Sequence, residues 1–289
     1  MQTISEPTME AELAGLDALE LAVPPARSRA VRIWSATWPK LGAIVLGLAI
    51  WQIVVWSGWK DEYVLPGPVA VFESLFDNWS ILWEASLVTL QRGVTGFAVA
   101  LAFGTIVGAL VARIRVVRAA FGSMITGLQT MPSIAWFPAA LVLFGLDESA
   151  IFFVVVIGAF PSIANGFIAG VDNTPPILVR AARVLGARGW KSLRYVVLPA
   201  ALPTYVAGLK QGWAFAWRSL LAGELLVLIA GKASLGRQLD IYRQTNDYTA
   251  MYATMIVILV IGIIIDSAFF GVIDRKIRRR YGLIDAAAS

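Results

Sequence analysis

The sequence contains neither cysteine nor histidine. Without cysteine there are no disulfides and no thiol nucleophiles, and without either residue there is no Cys/His zinc site, iron–sulfur cluster or haem ligand of those types. The absence of histidine also removes the side chain most used as a general base near neutral pH. Charge is scarce too: Asp, Glu, Lys and Arg make up 15% of 289 residues, against about 25% in soluble domains. What is present is apolar. Hydrophobic residues reach 58%, with 25 glycines besides, and the mean hydropathy is +0.72. A soluble domain of this size would have to expose much of that surface. The expected class is therefore an all-α polytopic membrane protein, and the disordered, collagen-like and disulfide-scaffold classes are excluded.

Residues 1–37 read as a polar N-terminal tail, with Glu6, Glu10, Glu12, Asp17 and Glu20 followed by Pro24 and Pro25. No basic stretch precedes an apolar run there, so the tail is not a cleaved signal peptide. A spanning helix needs about 20 mostly apolar residues. Six stretches qualify within a membrane domain at 38–274: 38–56, 87–111, 119–143, 150–170, 200–229 and 250–273. The third is interrupted by Pro132 and Pro138. Gly96, Gly104 and Gly108 would let helices approach closely. Residues 275–289 form a basic tail.

The net charge of +5 suits either nucleic acid or positive cytoplasmic loops, and its distribution separates the two. With the N-terminus inside, 17 Lys and Arg residues fall on inside segments, grouped around Arg27–Lys40, Arg113–Arg118, Arg180–Arg194 and Arg275–Arg280. Only 4 (Lys60, Lys232, Arg237 and Arg243) fall outside. This bias predicts cytoplasmic termini in a plasma (inner) membrane protein. Trp51, Trp56, Trp59, Trp79 and Trp83 then cluster at the outer interface as an aromatic belt.

The inside segment 171–199 is long for a connection. Thr174 and Pro175 suit a helix start. Leu178, Ala181, Ala182 and Leu185 share a helical face with Arg180 and Arg183 beside it. Gly186 and Gly189 break the helix, and a second short helix, 190–197, stops at Pro199. Two readings fit this pattern: a connector lying on anionic lipid, or a helix that docks into a groove on a soluble partner.

The same segment resembles the EAA loop of ABC importer permeases: Glu-Ala-Ala, three residues, Gly, nine residues, Ile, any residue, Leu-Pro. Ala181, Ala182, Gly186, Val196, Leu198 and Pro199 fall at those offsets, while Arg180 replaces the Glu and Val196 the Ile. Further stretches resemble the nitrate/sulfonate/taurine branch of this family: VLPGP (64–68), TMPSIAWFPAALVLFGLDESA (130–150), FPSIANGFIAGV (160–171), LPAALPTYVAGLKQGWAFAW (198–217) and AGELL (222–226). The resemblance covers roughly 64–281. It implies a type I importer permease fold, a second permease copy (a homodimer), two cytoplasmic ATPase subunits and an extracytoplasmic binding protein. It also implies that Arg180, Ala181, Ala182, Arg183, Leu185, Gly186 and Pro199 couple the permease to the ATPase. The Arg180 departure rewires any ion pair made by the family Glu. ATP and Mg would sit on the partner, and this chain has no G-x-x-x-x-G-K-[ST] phosphate loop. No catalytic, metal or cofactor site is expected.

Ionisable residues inside spans are costly and mark functional candidates. Lys210, Arg218 and Glu224 lie in the fifth stretch and Asp266 in the sixth. On a helix, Lys210 and Arg218 are about 12 Å apart along the axis and about 80° around it. Together they would line an anion path; alternatively Arg218 pairs with a carboxylate to tie helices, with Asp266 within reach from the neighbouring span and Glu224 poorly placed for it. Lys210 also has the length to snorkel to headgroups. Met131, Pro132, Ser133 and Trp136 are added because Pro132 breaks the third span, and half-helices near mid-membrane are a recurrent ion site. Kinking by Pro132 and core packing by Trp136 is the plainer alternative. Arg92, near the outer end of the second span, reads as an anion-steering residue or an interfacial anchor.

An integral membrane enzyme would need a clustered acid, base or nucleophile, which the spans lack. A secondary transporter would need a coupling carboxylate, for which only Glu224 and Asp266 qualify. The expected function is thus the permease subunit of an ATP-driven importer for a small anion. Aliphatic sulfonate comes first, on the resemblance of FGLDES and Arg218-Ser219, with taurine, nitrate and bicarbonate as alternatives.

Overall fold

The computed structural model describes residues 29–227 and 233–281. The acidic stretch 1–28, most of the expected N-terminal tail, lies outside the described residues, as does the C-terminal end 282–289. Two compact units are distinguished, Met1–Trp59 and Lys60–Ser289. In the first, a single helix, α1 (Arg29–Trp56), starts nine residues before the expected span. Its described apolar core, Thr37–Trp56, is long enough to cross a membrane.

All regular secondary structure among the described residues of the second unit is helical. Its elements are α2 (Pro68–Asp77), α3 (Trp79–Arg113), α4 (Arg115–Thr130), α5 (Phe137–Phe144), α6 (Glu148–Asp172), α7 (Pro176–Val184), α8 (Leu198–Leu226), α9 (Leu235–Gln244), α10 (Tyr248–Ile264) and α11 (Gly271–Arg280). Among the described residues of the chain, four helices meet the length and hydropathy needed to span: Thr37–Trp56, Trp79–Arg113, Glu148–Asp172 and Tyr248–Arg280. The bent pair Arg115–Thr130 and Ser133–Phe144 makes a fifth if taken as one span. Six stretches were expected. The remaining one corresponds to α8, which is 29 residues long but more polar than the others. Its packing accounts for this, because a helix surrounded by other helices does not have to be lipid-like all round.

Small residues bring α3, α6 and α8 together. A Cβ on Gly96 would stand 2.8 Å from Val155, one on Gly104 2.8 Å from the Phe160 carbonyl, and one on Gly108 2.9 Å from the Ala164 carbonyl. The three glycines singled out in the sequence thus all face α6. On its other side α6 meets α8 as closely: a Cβ on Gly166 would lie 2.6 Å from the Gly208 Cα. Ala159, Ile163, Trp213, Ala216 and Leu220 form the core between these helices, and Trp213 stacks on Trp217 with ring centres 6.2 Å apart. At one end, Arg118 of α4 grips Asp172 of α6 with two hydrogen bonds of 3.0 and 2.9 Å.

Two local expectations are corrected. Thr174 does not cap α7; its hydroxyl donates to the Gly170 carbonyl, closing α6, and α7 begins at Pro176 with Pro175 as its cap. The second short helix does not stop at Pro199. Trp190–Ser192 passes through a π turn, Leu193–Val197, straight into α8. Pro199 then sits in the first turn of α8, where its missing N–H interrupts little.

Candidate functional site

Pro132 shapes the first site. The residue before a proline is pushed out of the helical region, and Met131 is extended (φ −74°, ψ 129°), ending α4 at Thr130. Pro132 is extended as well, and a 3₁₀ turn, Ser133–Trp136, leads into α5. The two arms meet at 106°. Pro138, expected as a second interruption, instead occupies the first turn of α5, a position proline favours.

The elbow lines a cavity of about 270 Å³ together with α6 and α8. Gln129, Thr130, Met131, Pro132 and Ser133 form one wall, Gly158 the floor, and Phe215, Arg218 and Ala222 the other wall. A Cβ on Gly158 would stand 2.6 Å from the Ser219 hydroxyl and 3.1 Å from the Ser133 Cβ, so only glycine lets the three elements close here. The Arg218 guanidinium lies 4.9 Å from the Phe215 ring centre, and its Nε donates to the Ala214 carbonyl at 3.0 Å. No carboxylate among the described residues pairs with it. Arg218 and Ala222 also border a second, apolar cavity of about 440 Å³, walled by Leu221, Leu225, Met255, Ile258 and Leu259.

Of the expected pathway residues, Met131, Pro132, Ser133 and Arg218 therefore share one cavity. Trp136 packs against the core instead. Lys210 pairs with Asp266 at 3.1 Å, both half-exposed, so the carboxylate expected within reach of Arg218 is taken by Lys210, a pairing that the sequence did not indicate. Gln129 and Thr130 were missed. Their signal was the presence of polar side chains beside the proline in an apolar run, and Gln129 is held there by the Asn165 amide.

Glu224 belongs to a separate, closed cluster. Its Oε1 accepts from Arg92 Nη1 at 3.2 Å, and its Oε2 accepts from the Thr89 hydroxyl at 2.9 Å and the Gly236 N–H at 3.2 Å. Thr89 in turn accepts from the Leu235 N–H at 2.9 Å. The first N–H groups of α9, which no helix can satisfy internally, thus end on α3 and α8. Arg92 also donates from Nη2 to Glu148 at 2.7 Å. Arg92 is 6% exposed and Glu224 1%, so Arg92 is neither an interfacial anchor nor open to a passing anion. It ties α3 to α6 and α8. Sequence spacing within one helix gave no hint of a partner 132 residues away.

The segment expected to couple to an ATPase is exposed. Val184 and Leu185 are 88% and 86% exposed, with Ile177 and Leu178 open beside them, whereas Ala182 is 5% exposed. The expected apolar stripe is therefore split: Ala182 faces the chain itself, and Leu178, Ala181 and Leu185 face out. Arg180 and Arg183 are exposed on the same helix. Gly186 and Gly189 take φ of +82° and +55°, a region glycine enters without strain; Gly186 follows the C-cap Leu185 and ends α7 as expected, while Gly189 caps the start of the next helical turn, Trp190–Ser192.

Comparison with known proteins adds a family. Residues 100–279, more than half of the chain, match the family described as binding-protein-dependent transport system inner membrane component. A protein of Methanocaldococcus jannaschii named as an ABC transporter permease is 30% identical over 234 residues, covering 78% of this chain and 86% of that protein. A Bacillus subtilis protein named as an aliphatic sulfonates transport permease is 26% identical, covering 93% and 96%. Further relatives at 28–29% identity are named for riboflavin transport in Chloroflexus aurantiacus, taurine transport in Escherichia coli and nitrate import in Synechococcus elongatus. Among solved structures, an inward-facing methionine ABC transporter chain matches with a TM-score of 0.58 at 20% identity, covering 70% of this chain and 98% of its own.

Proposed function

Because the chain belongs to the family of binding-protein-dependent transport system inner membrane components, and is thus a multi-pass permease subunit of an ABC importer, we propose that it forms the path for a small organic anion, an aliphatic sulfonate first. The observation that carries this reading is Arg218. It is a cation without a carboxylate partner among the described residues, set between a small polar cavity and a larger apolar one. A guanidinium presents a planar fork of donors suited to an oxyanion. The polar elbow of Gln129, Thr130 and Ser133 suits a sulfonate head, and the apolar cavity suits a short alkyl tail. Nitrate would use only the first cavity.

In this reading two permease copies pair and an extracytoplasmic protein delivers the anion. Two ATPase subunits dock on the exposed face of α7 through Ile177, Leu178, Val184 and Leu185, with Arg180 and Arg183 at the rim. Closure of the ATPases moves this face, and the motion reaches α8 through the continuous Trp190–Val197 segment. The pathway opens outward to accept substrate and resets after hydrolysis, which takes place on the partner. Both termini are cytoplasmic.

Uptake by the reconstituted complex tests this. Charged hydrogen bonds contribute about 1.5–3 kcal/mol, so Arg218→Ala should lower sulfonate uptake roughly 10–100-fold while the complex still assembles. Arg218→Lys should recover part of the loss. Unchanged uptake in Arg218→Ala, or ATP-independent exchange by this chain alone, would overturn the proposal.

A further inference from the structure

A cavity of about 860 Å³ lies apart from the one that holds Arg218. It lies between the ends of α3 and α6 and the segment that follows α7. Its walls are mainly apolar, with Phe167, Trp190 and Leu193 prominent, yet three guanidinium groups border it: Arg113, Arg183 and Arg188. The Ser192 side chain adds a hydroxyl. No acidic residue lines the cavity, and none of the three arginines has a carboxylate partner among the described residues. Asp172 at the end of α6 is already held by Arg118.

Arg113, Arg183 and Arg188 are exposed, and with no acid among the lining residues they repel one another, a repulsion that an anion seated between them offsets. A small hydrated anion would leave the apolar walls uncovered, whereas an amphiphile satisfies both parts. Basic pockets between membrane helices on the cytoplasmic side are of the kind that hold anionic lipid headgroups, and the volume falls within the range of small-ligand sites. We propose that this cavity binds an anionic phospholipid of the cytoplasmic leaflet. The phosphate lies among Arg113, Arg188 and Ser192, and the start of an acyl chain lies against Phe167 and Leu193. Val184 and Leu185 are not part of the wall; Arg183, at the rim of the docking face, is the one residue the two surfaces share, and the phosphate is placed on Arg113 and Arg188 instead. The lipid would act as a wedge that sets the angle of the coupling segment against α3 and α6. The site rests on the cytoplasmic placement of this segment but not on which anion is transported.

Native mass spectrometry of the delipidated permease–ATPase complex, titrated with dioleoylphosphatidylglycerol or dioleoylphosphatidylcholine, tests the proposal. The expected result is saturable retention of phosphatidylglycerol, up to one per permease copy, with about tenfold preference over phosphatidylcholine (about 1.4 kcal/mol). The double variant Arg113→Gln/Arg188→Gln should lose that preference. So should Ala112→Trp, which keeps the arginines but fills the cavity. Replacing Arg278 and Arg279 by Gln in the basic C-terminal helix should leave the preference in place. Equal retention of the two lipids overturns the proposal, as does a preference that survives both cavity variants or one lost only with Arg278 and Arg279. Inorganic phosphate that displaces the lipid completely would show a bare anion site and also overturn it. If both cavity variants fail to assemble, phosphatidylglycerol carrying a photoreactive acyl chain decides on the wild-type complex: crosslinks at Phe167, Trp190 or Leu193 support the site, and their absence overturns it.

Discussion

Glu224 was a pathway candidate by its position in a span, and the structure offers a different role that one substitution can test. Glu224→Ala removes the acceptor of three donors: Arg92 Nη1, the Thr89 hydroxyl and the Gly236 N–H. Removing one partner of a buried ion pair costs about 3–5 kcal/mol, because the other charge is stranded. Arg92 keeps Glu148 at 2.7 Å, which places the expected loss near 3 kcal/mol, the lower end of that range. For a chain of this size that corresponds to a fall in melting midpoint of roughly 6–12 °C. Glu224→Gln retains the shape and an acceptor for Thr89 or Gly236 but loses the charge, so it should fall by about half as much. Replacing both partners, as Arg92→Met/Glu224→Leu, removes the stranded charge and should recover part of the loss. The assay is thermal unfolding of the detergent-purified complex, read alongside uptake. A Glu224→Ala complex that melts like the wild type but no longer transports would refute the structural role and return Glu224 to the pathway. A double variant no more stable than Glu224→Ala alone would refute the pairing argument.

The remaining predictions concern packing, the turn and the surface. Gly166→Ala puts a Cβ 2.6 Å from the Gly208 Cα; pushing α6 from α8 should cost about 1–3 kcal/mol, measurable in the same melt, whereas Gly127→Ala, with open space around it, should cost nothing detectable. Gly186→Val forces a β-branched residue to φ +82°, a strain of about 1–2 kcal/mol; if the α7 turn presents the docking face, co-purification of the ATPase should drop, and Leu185→Asp should abolish it without lowering the melting midpoint. Lys210→Ala should shift stability by less than about 1 kcal/mol, since its pair with Asp266 is half-exposed. A larger loss would mean that this pair is shielded in the assembled transporter.

The cavities suggest how one scaffold can serve relatives with different cargo names. The polar elbow depends on backbone features, Pro132 and Gly158, whereas the apolar cavity is walled by Leu221, Leu225, Met255, Ile258 and Leu259. Exchanges among such side chains change size and shape without disturbing the elbow, because volume-conserving apolar swaps are tolerated best. The head of the anion and its tail would then be selected by separate parts of α8 and its neighbours.

Several features of this protein follow from the sequence alone, because they depend on local chemistry. Apolar runs of spanning length give helices wherever backbone groups must be satisfied internally. Pro132 ends a helix by steric clash with the residue before it, and Gly186 ends another by taking positive φ. Glycines repeated along one face announce close helix packing, and Gly96, Gly104 and Gly108 do face α6. The ordered motifs carried the family. Partnership, by contrast, was decided only in three dimensions. Arg92, Thr89, Glu148, Glu224 and the first turn of α9 come from distant parts of the chain, and nothing in their local spacing distinguishes a satisfied carboxylate from a functional one. The same holds for Lys210 and Arg218: similar charges on one helix, one neutralised by Asp266 and the other left facing a cavity. A charge in a span is expensive wherever it sits, so the sequence marks its presence; whether it is spent on holding helices or on meeting an anion depends on which groups the fold brings within about 3–4 Å, and that is a property of the tertiary structure.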